Sequence, residues 1–368
     1  MKLTGIVKLL PTPEQADLLH RTLEQANTAC NAIAEIAWER QTFGQYKLHH
    51  ACYYAVKDQT GLSAQMVVRC IAKVADAYKL DKRAKRVFRP HGAIAYDDRI
   101  LRWYADHVSI WTIGGRQAIP FVCDERTRQL LTVRQGESDL FTRNGAWYLA
   151  FTANVEEPPA NWPDDWLGVD LGIVNLAATS DGTVVSGAQV NGLRIRHERL
   201  RRRLQAKGTK SARRLLRKRR GKQRRFQRQV NHTIAKRLVA VAQGTRRGIA
   251  LEDLTGIRSR VSATKRQRSR LGNWGFAHLR HCVTYKAKLA GVAVVLVDPR
   301  NTSRTCPVCG HCDQANRVSQ ARFSCQLCGY SAPADLVAAE NIRRAAVNQP
   351  HVSDATSQVA APGTSWRL

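Results

Sequence analysis

Two short knuckles, Cys306-Pro307-Val308-Cys309-Gly310 and Cys325-Gln326-Leu327-Cys328-Gly329, constrain this chain more than any other stretch, with fifteen residues between Cys309 and Cys325. Paired Cys-x-x-Cys turns bring four thiolates within reach of one tetrahedral ion. A glycine after each pair permits the tight turn that aims backbone N–H groups at sulfur. The segment therefore predicts a zinc ribbon held by Cys306, Cys309, Cys325 and Cys328, a closed and structural site in preference to a redox pair or disulfides. His311 and Cys312 break the symmetric spacing and are left out. Cys30, Cys52, Cys70, Cys123 and Cys282 are scattered through apolar patterns, as buried free thiols are in a reducing compartment.

The second constraint is the stretch from Gly168 to Thr179, closed by Ser180-Asp181-Gly182. An apolar run around one carboxylate, then a second apolar run ending in an Asp-Gly turn, reads as two adjacent buried strands with Asp170 on the first. Burying an unpaired charge costs several kcal/mol, so Asp170 on its own residues is a metal ligand, half of an ion pair or an Asx-turn former. Gly248 to Leu254 repeats the pattern, a buried strand ending in Glu252 and Asp253. After the cysteines, Ala334 to Ile342 has the periodicity of a helix with Asp335 at its start. Two divalent ions about 4 Å apart need several carboxylates gathered from different elements, one ion activating water and the other stabilising a leaving 3′ oxygen. Asp170, Glu252 and Asp335 suit that need; by spacing alone Asp253, Asp298 and Asp181 compete with them.

Charge narrows the partner. The chain has 368 residues, 43% of them hydrophobic, and a formal charge of +30. A polyanion is the simplest complement to such self-repulsion. Half of residues 194 to 228 are basic, including Arg201, Arg202, Arg203, Arg213, Arg214, Arg217, Lys218, Arg219, Arg220, Arg224, Arg225 and Arg228. Leucines and Phe226 at near-helical spacing, with a break around Gly208, predict a basic helical hairpin (194–243) with a thin apolar seam, continued by an amphipathic helix from His232 to Gln243. Phosphate contact is the reading of this hairpin; a disordered basic spacer is the alternative.

The rest is read in order. Residues 2 to 10 suit a single strand that pairs with something later. Thr12-Pro13-Glu14-Gln15 opens a helix with a capping box. Two more helices are expected near 48–57 and 64–84, the latter capped by Ser63. Arg69, Lys73, Lys79, Lys82, Arg83, Lys85 and Arg86 would form a solvated or nucleic-acid-facing surface. From Pro90 the chain turns to short strands, 93–96, 100–104, 107–112, 118–123, 139–143 and 146–155, a small antiparallel barrel in which the helices are an insertion. Residues 255 to 273 read as a mobile loop, 274–290 as a helix, 292–297 as a strand, and the tail 349–368 as disordered. No run approaches the roughly 18 apolar residues of a membrane span, and the start is not a secretory signal. The expectation is a cytoplasmic, nucleoid-associated prokaryotic protein without a membrane partner.

The series Gly168-Val169-Asp170-Leu171-Gly172, Ala250-Leu251-Glu252-Asp253-Leu254, and Asp298-Pro299-Arg300-Asn301-Thr302-Ser303-Arg304-Thr305-Cys306-Pro307-Val308-Cys309-Gly310 up to Ala334-Asp335 and Ala338-Ala339-Glu340-Asn341-Ile342 resembles the TnpB family. These are transposon-encoded RNA-guided DNA endonucleases related to compact type V CRISPR effectors. The start Leu9-Leu10-Pro11-Thr12-Pro13-Glu14-Gln15 and the run from Trp274 to Ala287 also look like the family. Val337 and Pro333 depart from it, standing where the family often has Asn and Asp. The resemblance implies an α+β multidomain chain: a β-barrel wedge domain (1–11 and 88–160) interrupted by a helical recognition domain (12–87), an RNase H-like (RuvC) nuclease domain (161–300 and 332–348), and a target-binding zinc ribbon (301–331). It implies Asp170, Glu252 and Asp335 as catalytic magnesium ligands, structural zinc, a guide RNA and a double-stranded DNA target, with one or two copies of the chain.

The activity expected is RNA-guided, metal-dependent cleavage of DNA beside a short duplex motif, by two-metal phosphodiester hydrolysis. The alternatives are a CRISPR-associated effector of the same chemistry and a catalytically silent RNA-guided DNA binder. A silent relative can lose acids freely, whereas all three are present here. A strand-transferring transposase needs a His-hydrophobic-His motif with a nucleophilic Tyr, which is not found.

Overall fold

The computed structural model describes residues 1–159, 162–254 and 275–348. The expected mobile loop, Trp274 and the tail lie outside them. Two compact units divide the chain, Met1–Glu156 and Glu157–Leu368.

In the first unit, strand β1 (Lys2–Leu9) leads into α1 (Pro13–Glu39). Thr12 and Gln15 form the expected capping box, each side chain accepting from the other's backbone N–H. Helices α2 (Gln45–Thr60) and α3 (Ala64–Leu80) follow, the second capped by Ser63. α3 stops short of Ala84 because Asp81 is extended and its carboxylate accepts the N–H of Arg83, turning the chain. Then come β2 (Ile94–Tyr96), β3 (Leu101–Trp103), β4 (His107–Thr112), β5 (Gly115–Val122), α4 (Glu125–Thr132), β6 (Arg134–Arg143) and β7 (Ala146–Asn154).

These seven strands make one antiparallel sheet in the order β2-β6-β7-β1-β5-β4-β3. The first strand is central, paired with β7 from Lys2 opposite Asn154 to Leu9 opposite Trp147. The edge strands β2 and β3 are joined by residues 97–100 alone, so the sheet comes nearly full circle. Its inward residues Val7, Leu9, Leu149 and Phe151 share one apolar cluster with Leu19, Ile33, Met66 and Ile71 of the helices. Each such side chain, fully buried, contributes about 1.5–3 kcal/mol.

Two details depart from the sequence reading. α4 has no buried residue to mark it in the pattern, only its N-cap Asp124, which accepts from Thr127 N–H at 2.7 Å. β6 starts at Arg134 and bulges between Gln135 and Ser138, where Gly136 takes a left-handed φ of 68°. The basic face is also not uniform: Lys73 turns inward, donating to Asn27 Oδ1 (2.6 Å) and the Ala93 carbonyl (2.8 Å), and Arg69 pairs with Glu137.

The second unit holds β8 (Trp166–Asp170), β9 (Asn175–Thr179), β10 (Val184–Ser186), α5 (Ala188–Lys207), α6 (Lys210–Gly244), β11 (Gly248–Glu252), α7 (Phe276–Leu289), β12 (Val294–Val297), β13 (Arg322–Ser324), β14 (Ser331–Pro333) and α8 (Ala334–Val347). A five-stranded sheet runs β10-β9-β8-β11-β12, with β8, β11 and β12 parallel and β9 and β10 antiparallel. Helices cover both faces, which is why β8 and β11 read as unbroken apolar runs. On one face α6 and α7 bring Ile234, Leu238, Leu279 and Val283 against Leu167, Val169, Ile249 and Leu251. On the other, Ile342 and Ala346 of α8 meet Trp166, Ala250 and Val297.

Gly168 sets how closely α8 lies on β8. A Cβ there would stand 2.0 Å from the Ala339 carbonyl oxygen and 2.6 Å from the Arg343 nitrogen, both backbone atoms of that helix. The break expected near Gly208 is an αL residue at φ 63°, and Thr209 caps α6 by accepting from the Ala212 N–H. Beyond Ala212, nothing in α6 is fully buried until Asn231.

Candidate active site

Parallel pairing of β8 and β11, with Leu251 opposite Val169, sends both strands out of the same edge of the sheet. Asp170 and Glu252 are the last residues of those strands, and Asp170 stands at the strand's end, not within it. The carboxyl ends of parallel strands are where such sheets present functional groups. Asp335 enters from the first turn of α8, the helix that Gly168 lets down onto β8. All three acids line one pocket of about 720 Å³, together with Asn175, Thr302 and Arg317.

Their partners differ in kind. Thr302 donates its hydroxyl to Glu252 Oε1 at 2.6 Å, and Asn175 donates Nδ2 to Asp335 Oδ2 at 2.8 Å. Asn341 of α8 steadies the Thr302 segment by donating to the carbonyls of Thr302 (2.7 Å) and Thr305 (2.8 Å). The competing acids have partners of their own: Asp181 takes a bidentate bond from Arg247 (2.8 and 2.6 Å), Asp253, which also lines the pocket, pairs with Arg280 (2.9 Å), and Asp298 accepts from the Arg300 N–H.

Electrostatics mark Asp170 as the strained member. Burial first, then the charges of Glu252 and Asp335, push its carboxyl up to about 7, with the Arg317 guanidinium pulling the other way. Burial likewise raises Glu252, against the Thr302 hydrogen bond and Arg317. Three converging carboxylates that repel one another suit divalent cations with oxygen ligands, since a bound cation removes both the repulsion and the desolvation cost.

A stability prediction follows. Between about pH 4 and 7 the folded chain holds a proton on Asp170 that the unfolded chain has released, so its stability falls as pH rises through that window. The full shift corresponds to on the order of 4 kcal/mol. The melting temperature of the metal-free chain should drop more steeply from pH 5 to pH 7.5 than that of Asp170→Asn. Equal slopes in the two proteins would rule out Asp170 as the strained group.

The four knuckle cysteines cluster as their spacing requires, with all Sγ atoms within 4.8 Å of one another. Cys306 and Cys328 lie 3.6 Å apart, as do Cys309 and Cys325. Around a tetrahedral zinc with Zn–S of about 2.3 Å, sulfurs stand roughly 3.8 Å apart, so the set fits that ion. Gly310 and Gly329 take left-handed φ of 77° and 73°, and the N–H groups of Val308 and Cys328 point at Cys306 and Cys325 sulfur. Buried Asn316 ties the two knuckles, donating to the Arg304 and His311 carbonyls and accepting from the Gln326 N–H. The next residue is Arg317.

Sequence reasoning missed Arg317, Thr302 and Asn175. Only their neighbourhoods carried a signal: Thr302 lies in the run after Asp298-Pro299, and Asn175 is a polar residue opening an apolar strand. Of the predicted phosphate-contacting residues, Arg201, Arg202, Arg203, Arg213, Arg214, Arg217, Lys218, Arg219, Arg220, Arg224 and Arg225 are exposed on α5 and α6, and Arg228 is half-buried.

Comparison with known proteins places this architecture. The family model described as "Cas12f1-like, TNB domain" matches residues 276–342, from α7 through the cysteines to α8. Two solved structures share the fold: a Cas12f1-sgRNA-target DNA complex (TM-score 0.61, 16% identity, 90% of this chain and 83% of that one) and the mini-RNA-guided endonuclease CRISPR-Cas-phi3 (TM-score 0.58, 11% identity, 94% and 92%). The chain is a relative of the TnpB-like and Cas12f1 proteins, as its motifs imply. It is 41% identical over 118 residues to the CRISPR-associated endodeoxyribonuclease Cas12f1 of Sulfoacidibacillus thermotolerans, covering 32% of this chain and 26% of the relative. It is 30% identical over 217 residues to the putative RNA-guided DNA endonuclease InsQ of Escherichia coli K12, covering 54% and 53%. The matched stretches thus span between a quarter and about half of the length of these curated relatives. Among the described residues, no helix is long and apolar enough to cross a membrane.

Proposed function

We propose that this chain is an RNA-guided, metal-dependent DNA endonuclease. The convergence of Asp170, Glu252 and Asp335 in one pocket, at the edge of an α/β sheet that fits an RNase H-like (RuvC) centre, carries the reading. Bound at these carboxylates, a pair of magnesium ions would supply Lewis-acid activation of water and neutralise the leaving 3′ oxygen. The chain's own groups prepare the site: Thr302 and Asn175 orient Glu252 and Asp335, and Arg317 offers a cation to the scissile phosphate.

The other segments take supporting roles. Residues 301–331 act as a zinc ribbon on the target, and the nearly closed sheet with its helices (1–160) serves as wedge and recognition domains for structural RNA and the duplex motif. Base pairing reads the target sequence while the protein reads shape. The α5–α6 hairpin follows the phosphates. Expression with the DNA flanking its own gene, sequencing of the RNA that copurifies, and cleavage of matched targets with magnesium test the reading. No specific RNA, or no cleavage with a matched guide, would overturn it.

The hairpin role has its own measurement. Replacing Arg217, Lys218, Arg219 and Arg220 by Gln should weaken binding at every target sequence and reduce the slope of log affinity against log salt by about 3 to 4. An unchanged slope would remove α6 from the contact surface.

A further inference from the structure

α6 and α7 pack together on one face of the five-stranded sheet, and between them three side chains meet that the nuclease reading does not use. His278 and Cys282 stand four residues apart, on one face of α7, and His232 faces them from α6. Cys282 Sγ lies 3.6 Å from His232 Nδ1, and 3.7 and 3.9 Å from Nδ1 and Nε2 of His278. One ligand atom from each of the three falls within 4.8 Å of the others. Around a tetrahedral zinc, with Zn–S of about 2.3 Å and Zn–N of about 2.0 to 2.1 Å, sulfur and nitrogen neighbours are separated by roughly 3.5 Å. The His232 contact matches that spacing, and His278 Nε2, 3.9 Å from the sulfur, lies within about 0.5 Å of it.

A buried amide beside the trio can fix the tautomer of His278. Asn231 is fully buried, its Nδ2 reaches His278 Nδ1 (3.0 Å) and the Gly275 carbonyl (3.3 Å), and its Oδ1 has no hydrogen-bond partner. Exchanging the two ends of the amide places Oδ1 against His278 Nδ1, where it accepts an N–H. That leaves the unprotonated Nε2, 3.9 Å from Cys282 Sγ, as the ligand atom of His278. The exchange gives up the longer bond to Gly275 and sets Nδ2 where Oδ1 has no partner, a loss that the zinc–nitrogen bond offsets.

We propose that His232, His278 and Cys282 form a second zinc site, separate from the four-cysteine cluster, with a three-residue His₂Cys ligand set. The Cys282 thiol passes its proton to solvent as the zinc–sulfur bond forms, so the bound ion carries a net charge of +1. The half-buried histidines leave the fourth position to water or to the Tyr285 hydroxyl, which lies 3.3 Å from His232 Nδ1. Three protein ligands with an open position bind zinc less tightly than four thiolates, so this site fills after the cysteine cluster and empties before it. Filling it would pin α7 to α6.

Elemental analysis of the full chain, saturated with zinc and then desalted, should give two zinc ions per chain. Cys282→Ala and, separately, His278→Gln should each give one, with melting curves showing that both variants remain folded. Cobalt added to chain already holding one zinc should produce a thiolate charge-transfer band that Cys282→Ala abolishes. One zinc per chain in the wild type, or a cobalt band that survives in Cys282→Ala, would overturn the assignment. Should Cys282→Ala fail to fold, His278→Gln decides by itself, since two zinc ions retained in that variant would equally dismiss the site.

Discussion

Asp170→Asn is expected to lower guided DNA cleavage by on the order of 10³-fold or more while leaving guided DNA binding unchanged. The substitution keeps the side-chain volume and one carbonyl oxygen, so the packing around β8 survives. What it removes is charge, at the most strained point of the site: the carboxyl that burial, Glu252 and Asp335 together raise to about 7. A cation held by three acids loses one ligand charge and the repulsion that favoured its entry. The same change relieves like-charge repulsion in the metal-free chain, so stability at pH 8 should rise as activity vanishes. Opposite movement of stability and activity distinguishes a lost ligand from a damaged fold. Cleavage within tenfold of the wild type would exclude Asp170 from the chemistry.

Disrupting the cysteine cluster should be as costly, at a distance from the acids in sequence. In the double variant Cys309→Ser, Cys328→Ser, residues 301–333 are expected to become protease-sensitive and cleavage to be lost. Structural zinc supplies roughly 10 kcal/mol or more of folding free energy to segments of this size, which have little apolar core of their own. Here the cluster that accompanies the thiolates is small, formed by Phe323, Ala334 and Val337 with Cys306 and Cys325. The segment delivers Thr302 to Glu252 and Arg317 to the pocket, and α8 with Asp335 starts where β14 ends. Loss of such an ion would therefore dismantle one wall of the candidate site. Intact cleavage in the double variant would show that the cysteines do not position those groups.

The features legible in the sequence are those whose chemistry demands particular residue types at particular places. Four cysteines at ribbon spacing, an acid ending an apolar strand and a glycine at a helix break can each be satisfied in few ways. The central position of β1 was only half legible: its lack of a local partner showed that it pairs late in the chain, not that it pairs with both β5 and β7. Arg317 and Thr302 were illegible because an arginine or threonine in a loop has many uses, and only tertiary placement selects one. α4 was illegible for a different reason: it is eight residues long, and Leu130 and Leu131, only partly buried against the core, are too few to set a period. Lys73 reads as one more surface cation in a basic face, yet the Asn27 and Ala93 oxygens draw it inward.

The near-circular sheet of the first unit has a consequence for how that unit can be recognised. Its two margins are strands of three residues each, β2 and β3. A short margin offers almost no row of unpaired N–H and C=O groups, which discourages strand-to-strand aggregation. It also closes off recruitment of an incoming peptide as an additional strand. Whatever this unit grips, it grips with side chains and loop backbone, so its selectivity can be rewritten one surface residue at a time without unpicking the sheet beneath.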